Sequence, residues 1–352
     1  MGVEPSFWSG RRVFLTGHTG FKGSWLALWL ASMGAQVTGY GRGAVRNPES
    51  LYELARVADS IDTIEGDVRD ANALVGGVLR SDAEVVLHLA AQPIVRRSYR
   101  DPAETFAVNV TGTVNLLDAV RVAGTARAIV VVTSDKCYEN RGLERGYRED
   151  EPLGGADPYS ASKACQELVS HAYRRAFALP IASARAGNVI GGGDFAEDRL
   201  VPDAMRAATA GMRVRVRNPD AVRPWQHVLC PLEGYLMLAQ RLDEEPGFDA
   251  AWNFGPDDHD ALPVGEILER LSALWPGGME IEAAQEADAP PEARTLRLDS
   301  TRAREQLGWR PPWELGRALE EIVDWHAVDT VRDMRFLEEQ WESGAPAWKT
   351  WE

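Results

Sequence analysis

Cysteine is scarce in this chain of 352 residues. Cys137, Cys165 and Cys230 are too few and too scattered for a disulfide framework or a zinc cluster, so no metal is expected and a reducing compartment is. Each reads as a small apolar residue for burial. There is no run of about 18 apolar residues, and residues 1–10 lack the apolar stretch of a signal peptide. The expectation is therefore a cytoplasmic protein with no membrane partner. Positive charge is also short: 38 basic against 53 acidic residues give a net charge of -15, which argues against a nonspecific nucleic-acid binder. An anionic substrate would have to be met by local arginines. Repeats and low-complexity tracts are absent too.

What is present begins with Val13-Phe14-Leu15-Thr16-Gly17-His18-Thr19-Gly20-Phe21-Lys22-Gly23, which runs into the apolar Ser24 to Leu30. A short β-type run, three glycines spaced by three and a helical pattern describe a strand, a tight turn and a helix N-terminus. Such a turn lets backbone approach a pyrophosphate, and the helix dipole attracts the phosphates. Gly17, Gly20 and Gly23 are the cofactor candidates here, with His18, Phe21 and Lys22 between them. Further strands are expected at 36–40, 61–65, 85–91, 128–133 and 181–185, with Gly34 capping the first helix. The alternation predicts an α/β fold, a doubly wound parallel Rossmann sheet with a smaller, mostly helical C-terminal substrate domain.

At the ends of these strands stand the remaining candidates. Asp67 suits an adenine amine, beside Val68, while Asp70 suits a helix N-cap. Leu89, Ala90 and Ala91 leave room for a flat ligand over the sheet edge. Gly41-Arg42-Gly43 occupies the place where an acidic residue often meets the ribose, which keeps NADP open beside NAD. Helices are expected over 102–122, 157–177, 202–210 and 231–242, and 138–155 reads as a polar surface loop. Residues 252–255 return as a strand of the first sheet, and 287–291 form a loose connection. The first domain therefore spans 1–186 with 223–262 rejoining it, and the second takes 187–222 and 263–352.

Tyr159 and Lys163 lie four apart behind Asp157-Pro158, so they share one face of a helix. A phenol is a poor base near neutrality, but a cation beside it, which Lys163 supplies, and a nicotinamide cation above it favour phenolate. Tyr159 can then take the proton of a substrate alcohol while hydride leaves for the cofactor. Thr133 and Ser134 end the fifth strand, where Ser134 can hydrogen-bond the alcohol oxygen.

These motifs, together with His88-Leu89-Ala90-Ala91-Gln92-Pro93, Ser134-Asp135-Lys136-Cys137-Tyr138, Arg185 to Asp194 and Arg223-Pro224-Trp225-Gln226-His227-Val228, resemble the extended short-chain dehydrogenase/reductase family over nearly the whole length. Among its members the chain is most similar to the 4,6-dehydratases that act on CDP-glucose. The resemblance implies NAD as cofactor and a nucleotide diphosphate sugar, CDP-glucose first, as substrate. It implies C4 oxidation, loss of water across C5 and C6, and hydride return to C6. Asp135 matches the acid for the leaving hydroxyl, and Lys136, where related enzymes often carry Glu, stands as the base at C5. Gln92, Asn188, Arg199 and Arg223 are the implied substrate contacts, with Arg294 a weaker one. Trp225 either stacks on a base or fills the core. A homodimer or homotetramer is implied, paired through helices 102–122 and 157–177. Three tryptophans in 341–351 should pack back on the protein.

Overall fold

The computed structural model describes residues 2–43, 47, 49–284 and 294–327. Parallel strands β1 (Arg12–Thr16), β2 (Gln36–Gly41), β3 (Asp62–Glu65), β4 (Val85–His88), β5 (Ala128–Val132), β6 (Ile181–Ala186) and β7 (Ala251–Phe254) form one sheet in the order β7-β6-β5-β4-β1-β2-β3. The order reverses at β1, which places a crevice over the carboxyl ends of β1 and β4. As the sequence predicts, the strand near residue 252 returns: Trp252 pairs with Ala184 and Phe254 with Ala186. Helix α1 (Phe21–Ser32) is apolar all round, and the reason is that it is covered on all sides, with every residue from Gly23 to Leu30 buried. Gly34, at φ +80°, follows its last turn in the left-handed conformation that ends a helix.

The helix expected over 102–122 is not continuous. A turn of π-helix at Ala107–Thr111 separates Pro102–Phe106 from α2 (Gly112–Ala123). Within it Asn109 is fully buried, and its amide accepts from Gln92 N at 2.8 Å and donates to Ser162 Oγ at 2.8 Å. Widened turns of this kind accommodate such an inserted polar contact. Gly112 then lies against Val68, whose Cγ2 would be 2.7 Å from an added Cβ.

Residues 138–155 are not a free surface loop either. Tyr138 and Tyr147 are buried and stacked at 5.2 Å, and Tyr147 bridges Leu298. Helix α3 (Pro158–Phe177) starts as expected, with Asp157 accepting from Ser160 N at 2.9 Å. Helix α4 (Leu229–Glu244) covers the other face of the sheet beside α1. A smaller lobe has its own core, built from Val201, Met205, Val214, Trp225, Ile267, Leu271, Leu319 and Ile322. The expectations for 287–291 and for 341–351 fall outside the described residues.

Beneath the crevice lies a buried ion pair. Glu167 of α3 meets Arg185 of β6 at 2.8 Å and also accepts from Thr133 Oγ1 at 2.5 Å and Ser183 Oγ at 2.6 Å. Burial alone would push the Glu167 carboxyl up, but Arg185 and these donors outweigh it and hold it below the usual range. Removing one partner strands a charge. Arg185→Met should cost about 3–5 kcal/mol in denaturant unfolding. The double change with Glu167→Leu should recover much of that loss, and equal losses for single and double variants would refute this account.

Candidate active site

A cleft of about 740 Å³ runs from the glycine turn across the sheet edge to the smaller lobe. At one end Gly17 has φ +77°, and an added Cβ would lie 2.7 Å from Ala90 N. A Cβ on Gly23 would come still closer to the Gly17 carbonyl. This end is lined by Gly17, Gly20, Phe21, Lys22 and Gly23, then by Asp67, Val68, Leu89, Ala90 and Ala91. A bare backbone cradle at a helix N-terminus fits the pyrophosphate of a dinucleotide. Asp67 is held by Arg69, whose Nη2 donates to it at 2.6 Å. The Arg42 guanidinium faces Glu104 at 3.6 Å, so a 2′-phosphate there would have to displace a carboxylate.

Two candidates stand apart. His18 is buried beneath Gly39 and edge-on to Tyr52, and it does not line the cleft. Gln92 is also buried and outside the lining, because its amide accepts from Ile94 N at 2.7 Å and donates to Thr105 Oγ1 at 2.9 Å. Their neighbours in sequence, Thr19 and Pro93, line the cleft in their place.

Midway the cleft is lined by Thr133, Ser134, Asp135, Lys136, Tyr159 and Lys163. β5 ends at Val132, and a single 3-10 turn over Asp135–Cys137 aims the next side chains outward. Ser134 caps that turn by accepting from Lys136 N at 3.2 Å, and its hydroxyl donates to Asp135 Oδ1 at 2.9 Å. Asp135 is only 3 % exposed, and its Oδ2 makes no hydrogen bond among the described residues. Burial pushes its carboxyl up, against the pull of Lys136, Ser134 and Arg223. Lys136 is partly accessible from the cleft.

For Tyr159, burial opposes the phenolate that the cations are expected to favour. Burial pushes Tyr159 up to about 12, with the nearby Ser134 acting the other way. Lys163 Nζ sits 6.0 Å from the centre of the Tyr159 ring and donates to Val132 O at 3.4 Å. Burial brings Lys163 down to about 8, with the Glu167 charge acting the other way. Lys22 falls further, to about 7, through burial and then through the cations Arg199 and Lys163; its side chain touches the cleft but is otherwise enclosed by protein.

At the far end stand Asn188, Arg199 and Arg223, as expected, and Trp225 both lines the cleft and donates from Nε1 to Leu262 O at 3.0 Å. Arg294 is exposed and lies outside the lining. Arg199 pairs with Asp194 at 3.3 Å. The sequence reading missed Asp194, Arg96, Asp198 and Arg217 on this wall. Asp198, at φ +60°, faces Arg96, Arg100 and Arg217 at 3.4, 3.6 and 3.6 Å. An isolated aspartate in a loop carries no spacing signal that announces three distant arginines.

Comparison with known proteins places this cleft among nucleotide-sugar enzymes. The sequence model of the family described as GDP-mannose 4,6 dehydratase matches residues 14–255. The chain is 49% identical over 334 residues to the CDP-glucose 4,6-dehydratase of Salmonella typhimurium, covering 92% of each. Among solved structures it is similar to the dTDP-glucose 4,6-dehydratase of Bacillus anthracis in complex with NAD (TM-score 0.76, 20% identity, 96% of this chain and 100% of that one). It is also similar to the UDP-glucose 4-epimerase of Brucella ovis in complex with NAD (TM-score 0.76, 26% identity, 90% and 98%).

Lys22 on the glycine turn generates a test of the anion cradle. An anion placed beside it favours its charged form, so above about pH 7 binding of NAD should take up a proton and weaken by up to about tenfold per pH unit. Titration calorimetry in buffers of different ionisation heat reads the uptake directly, and Lys22→Met should abolish it. Binding without proton uptake, or uptake that survives Lys22→Met, would remove Lys22 from the cradle.

Proposed function

Because the chain belongs to the GDP-mannose 4,6 dehydratase family, within the extended short-chain dehydrogenases/reductases, we propose that it converts CDP-glucose to CDP-4-keto-6-deoxyglucose in an NAD-dependent dehydration. The observation that carries this reading is the turn Ser134-Asp135-Lys136 beside Tyr159: an alcohol-oxidising tyrosine with an acid and an amine next to it. An epimerisation at C4 has no need of an acid for a leaving group at C6. NAD, when bound, accepts the hydride from C4 and supplies it again at C6, so none is consumed.

Each residue then has a defined task. The cradle of Gly17, Gly20, Phe21, Lys22 and Gly23 holds the dinucleotide pyrophosphate, while Asp67, Val68 and Leu89 to Ala91 flank its nucleoside parts. Thr133 and Lys163 border the nicotinamide end. Ser134 orients the C4 hydroxyl and Tyr159 takes its proton. Oxidation makes the C5 hydrogen acidic, since it now lies alpha to a carbonyl; Lys136 removes it, and Asp135 protonates the departing C6 hydroxyl. Burial that favours the neutral carboxyl suits Asp135 to act as an acid. Asn188, Arg199 and Arg223 meet the substrate diphosphate, for which guanidinium offers paired donors. The smaller lobe is read as the domain that grips the nucleotide.

The assembly we infer is a homodimer, or a pair of dimers, joined through α2 and α3. These helices leave Val122, Leu168 and Phe177 exposed at 60%, 58% and 50%. Three cysteines without disulfides agree with a cytoplasmic location.

Purified protein incubated with CDP-glucose, and separately with dTDP-, UDP- and GDP-glucose, should release one water per sugar from CDP-glucose without added reductant, read by product mass. In deuterium oxide the wild-type product should carry deuterium at C5, and Lys136→Met should lower product formation by about 10²–10⁴-fold. Absence of water loss from every sugar would overturn the dehydratase reading. Unaltered turnover in Lys136→Met would overturn the assignment of the base.

A further inference from the structure

The wall of the cleft that is rich in arginine also holds a carboxylate, and a substrate diphosphate gives no reason for it. Asp198 immediately precedes Arg199, one of the arginines assigned above to the diphosphate, and it lines the same cleft. A negative charge there weakens the binding of phosphates unless it meets a donor of its own. Its backbone stands at φ +60°, a left-handed conformation that short polar residues enter more readily than other side chains. Asp198 Oδ1 accepts from Arg96 at 3.4 Å and faces Arg217 at 3.6 Å. Its Oδ2 faces Arg100 at 3.6 Å, beyond hydrogen-bond reach, and accepts no hydrogen bond among the described residues. One carboxylate oxygen on the cleft wall is thus left to accept from a ligand.

Resting on CDP-glucose as the substrate, we propose that Asp198 is the residue that reads the base: its carboxylate accepts from the 4-amino group of cytosine while a guanidinium on the same wall donates to N3 and O2. A sugar against Ser134 and Tyr159, with its diphosphate on Arg199 and Arg223, leaves the nucleoside to the rest of this end of the cleft. That lining includes Arg96, Asp198, Val201, Arg217 and Trp225. Val201 and Trp225 belong to the apolar core of the smaller lobe and offer a surface to a flat ring. The polar groups on the wall match the edge of cytosine, which presents a donor at position 4 and acceptors at N3 and O2. Uracil reverses the pattern. Its O4 would meet the lone pairs of the carboxylate and its N3–H the donors of a guanidinium, and such unpaired polar groups are what lets a polar site reject a close analogue.

The fold brings these groups together from both sides of the cleft. Arg96 and Arg100 stand on the short helix Val95–Arg100, which follows β4, and Arg217 comes just after the strand Val214–Val216 of the smaller lobe. Asp198 lies between them, so its carboxylate also holds like-charged guanidiniums near one another. That second role acts on every nucleoside diphosphate alike, because all of them present the same phosphates to the arginines. Reading of the base acts on one nucleotide and against another.

CDP and UDP share ribose and diphosphate and differ only in the base, so their affinities for the NAD-loaded protein, read by titration calorimetry, isolate its contribution. Wild type should bind CDP about 10²-fold tighter than UDP. Asp198→Asn keeps a residue that tolerates the left-handed backbone and adds a donor for the uracil O4, so the preference should shrink to within about threefold. Arg100→Met serves as the control, since Arg100 faces Asp198 but lies outside the cleft lining; the preference for CDP should stay as in wild type. The proposal is overturned if Asp198→Asn weakens CDP and UDP by the same factor, if wild type binds the two equally, or if Arg100→Met erases the preference as fully as Asp198→Asn does. Product mass from CDP-glucose, measured on the same wild-type protein, separates this outcome from the underlying reaction. Water loss by wild type together with an unchanged preference in Asp198→Asn refutes base reading alone, whereas a wild type that dehydrates no sugar refutes the dehydratase reading.

Discussion

The arrangement of the cleft depends on one buried carboxylate. Glu167 lies eight residues after Tyr159 and four after Lys163, so all three fall along one face of α3. By accepting from Thr133, Ser183 and Arg185 it fastens that face to the ends of β5 and β6. Thr133 is the residue just before Ser134, so the same carboxylate that fixes the helix also fixes the catalytic turn. Arg185 continues the chain of contacts, donating to Tyr138 Oη at 2.7 Å, and Tyr138 in turn donates to Asn253 Oδ1 at 2.7 Å. A charge with this many partners is costly to disturb, because each partner would be left buried and unpaired. Rigidity at the turn is the return on burying it.

Above this network, desolvation is the dominant force on the groups in the middle of the cleft. Burial is the first cause of the shifts of Asp135, Tyr159, Lys163 and Lys22, and in each case it favours the neutral form. The protein environment thus pushes Asp135 toward the carboxylic acid and Tyr159 toward the phenol. Charged ligands then set the protonation state. A cofactor cation and a diphosphate would bring charges into the cleft that burial there disfavours, which would link binding to activation of the tyrosine. The sequence reading weighed the Lys163 cation and a nicotinamide cation in favour of phenolate; burial, which it left out, acts against them.

The parallel sheet was legible because its strands are short apolar runs punctuated by glycine and separated by helical periodicity. Tyr159, Lys163, Ser134 and the glycine turn were legible because their spacing is local: one helical turn, or one strand end. What the sequence concealed depends on distant partners. Asn109 reads as a polar residue in a helix, and only the fold brings it to Gln92 and Ser162, which require the π turn. The stretch 138–155 is polar in composition, yet Tyr138 and Tyr147 anchor it to Leu296 and Leu298, more than 140 residues away. His18 and Gln92 sit inside cleft-forming motifs but point into the protein, because neighbouring residues in a turn face opposite ways. The arginines around Asp198 come from two separate segments, Arg96 and Arg100 from one short helix and Arg217 from far along the chain, which no spacing rule joins to the aspartate.

Fold alone does not separate a dehydratase from an epimerase, as the similarity to solved structures of both makes plain. Both chemistries start by oxidising C4 and need the same tyrosine, lysine and dinucleotide cradle. The difference must lie where water is lost, at an acid that reaches C6 and a base that reaches C5. On the reading proposed above, those groups are the consecutive Asp135 and Lys136, and a single 3-10 turn separates their directions. Such a short turn has little stability of its own. It is held at its far side by Gly154 N donating to Cys137 O at 2.9 Å and by the bridge between Tyr138 and Leu153. The segment that composition marks as a surface loop is therefore the clamp on the acid and the base. On the proposed reading, a change there that displaces Asp135 and Lys136 would spoil dehydration more than oxidation, since oxidation also draws on Tyr159 and Lys163 of α3.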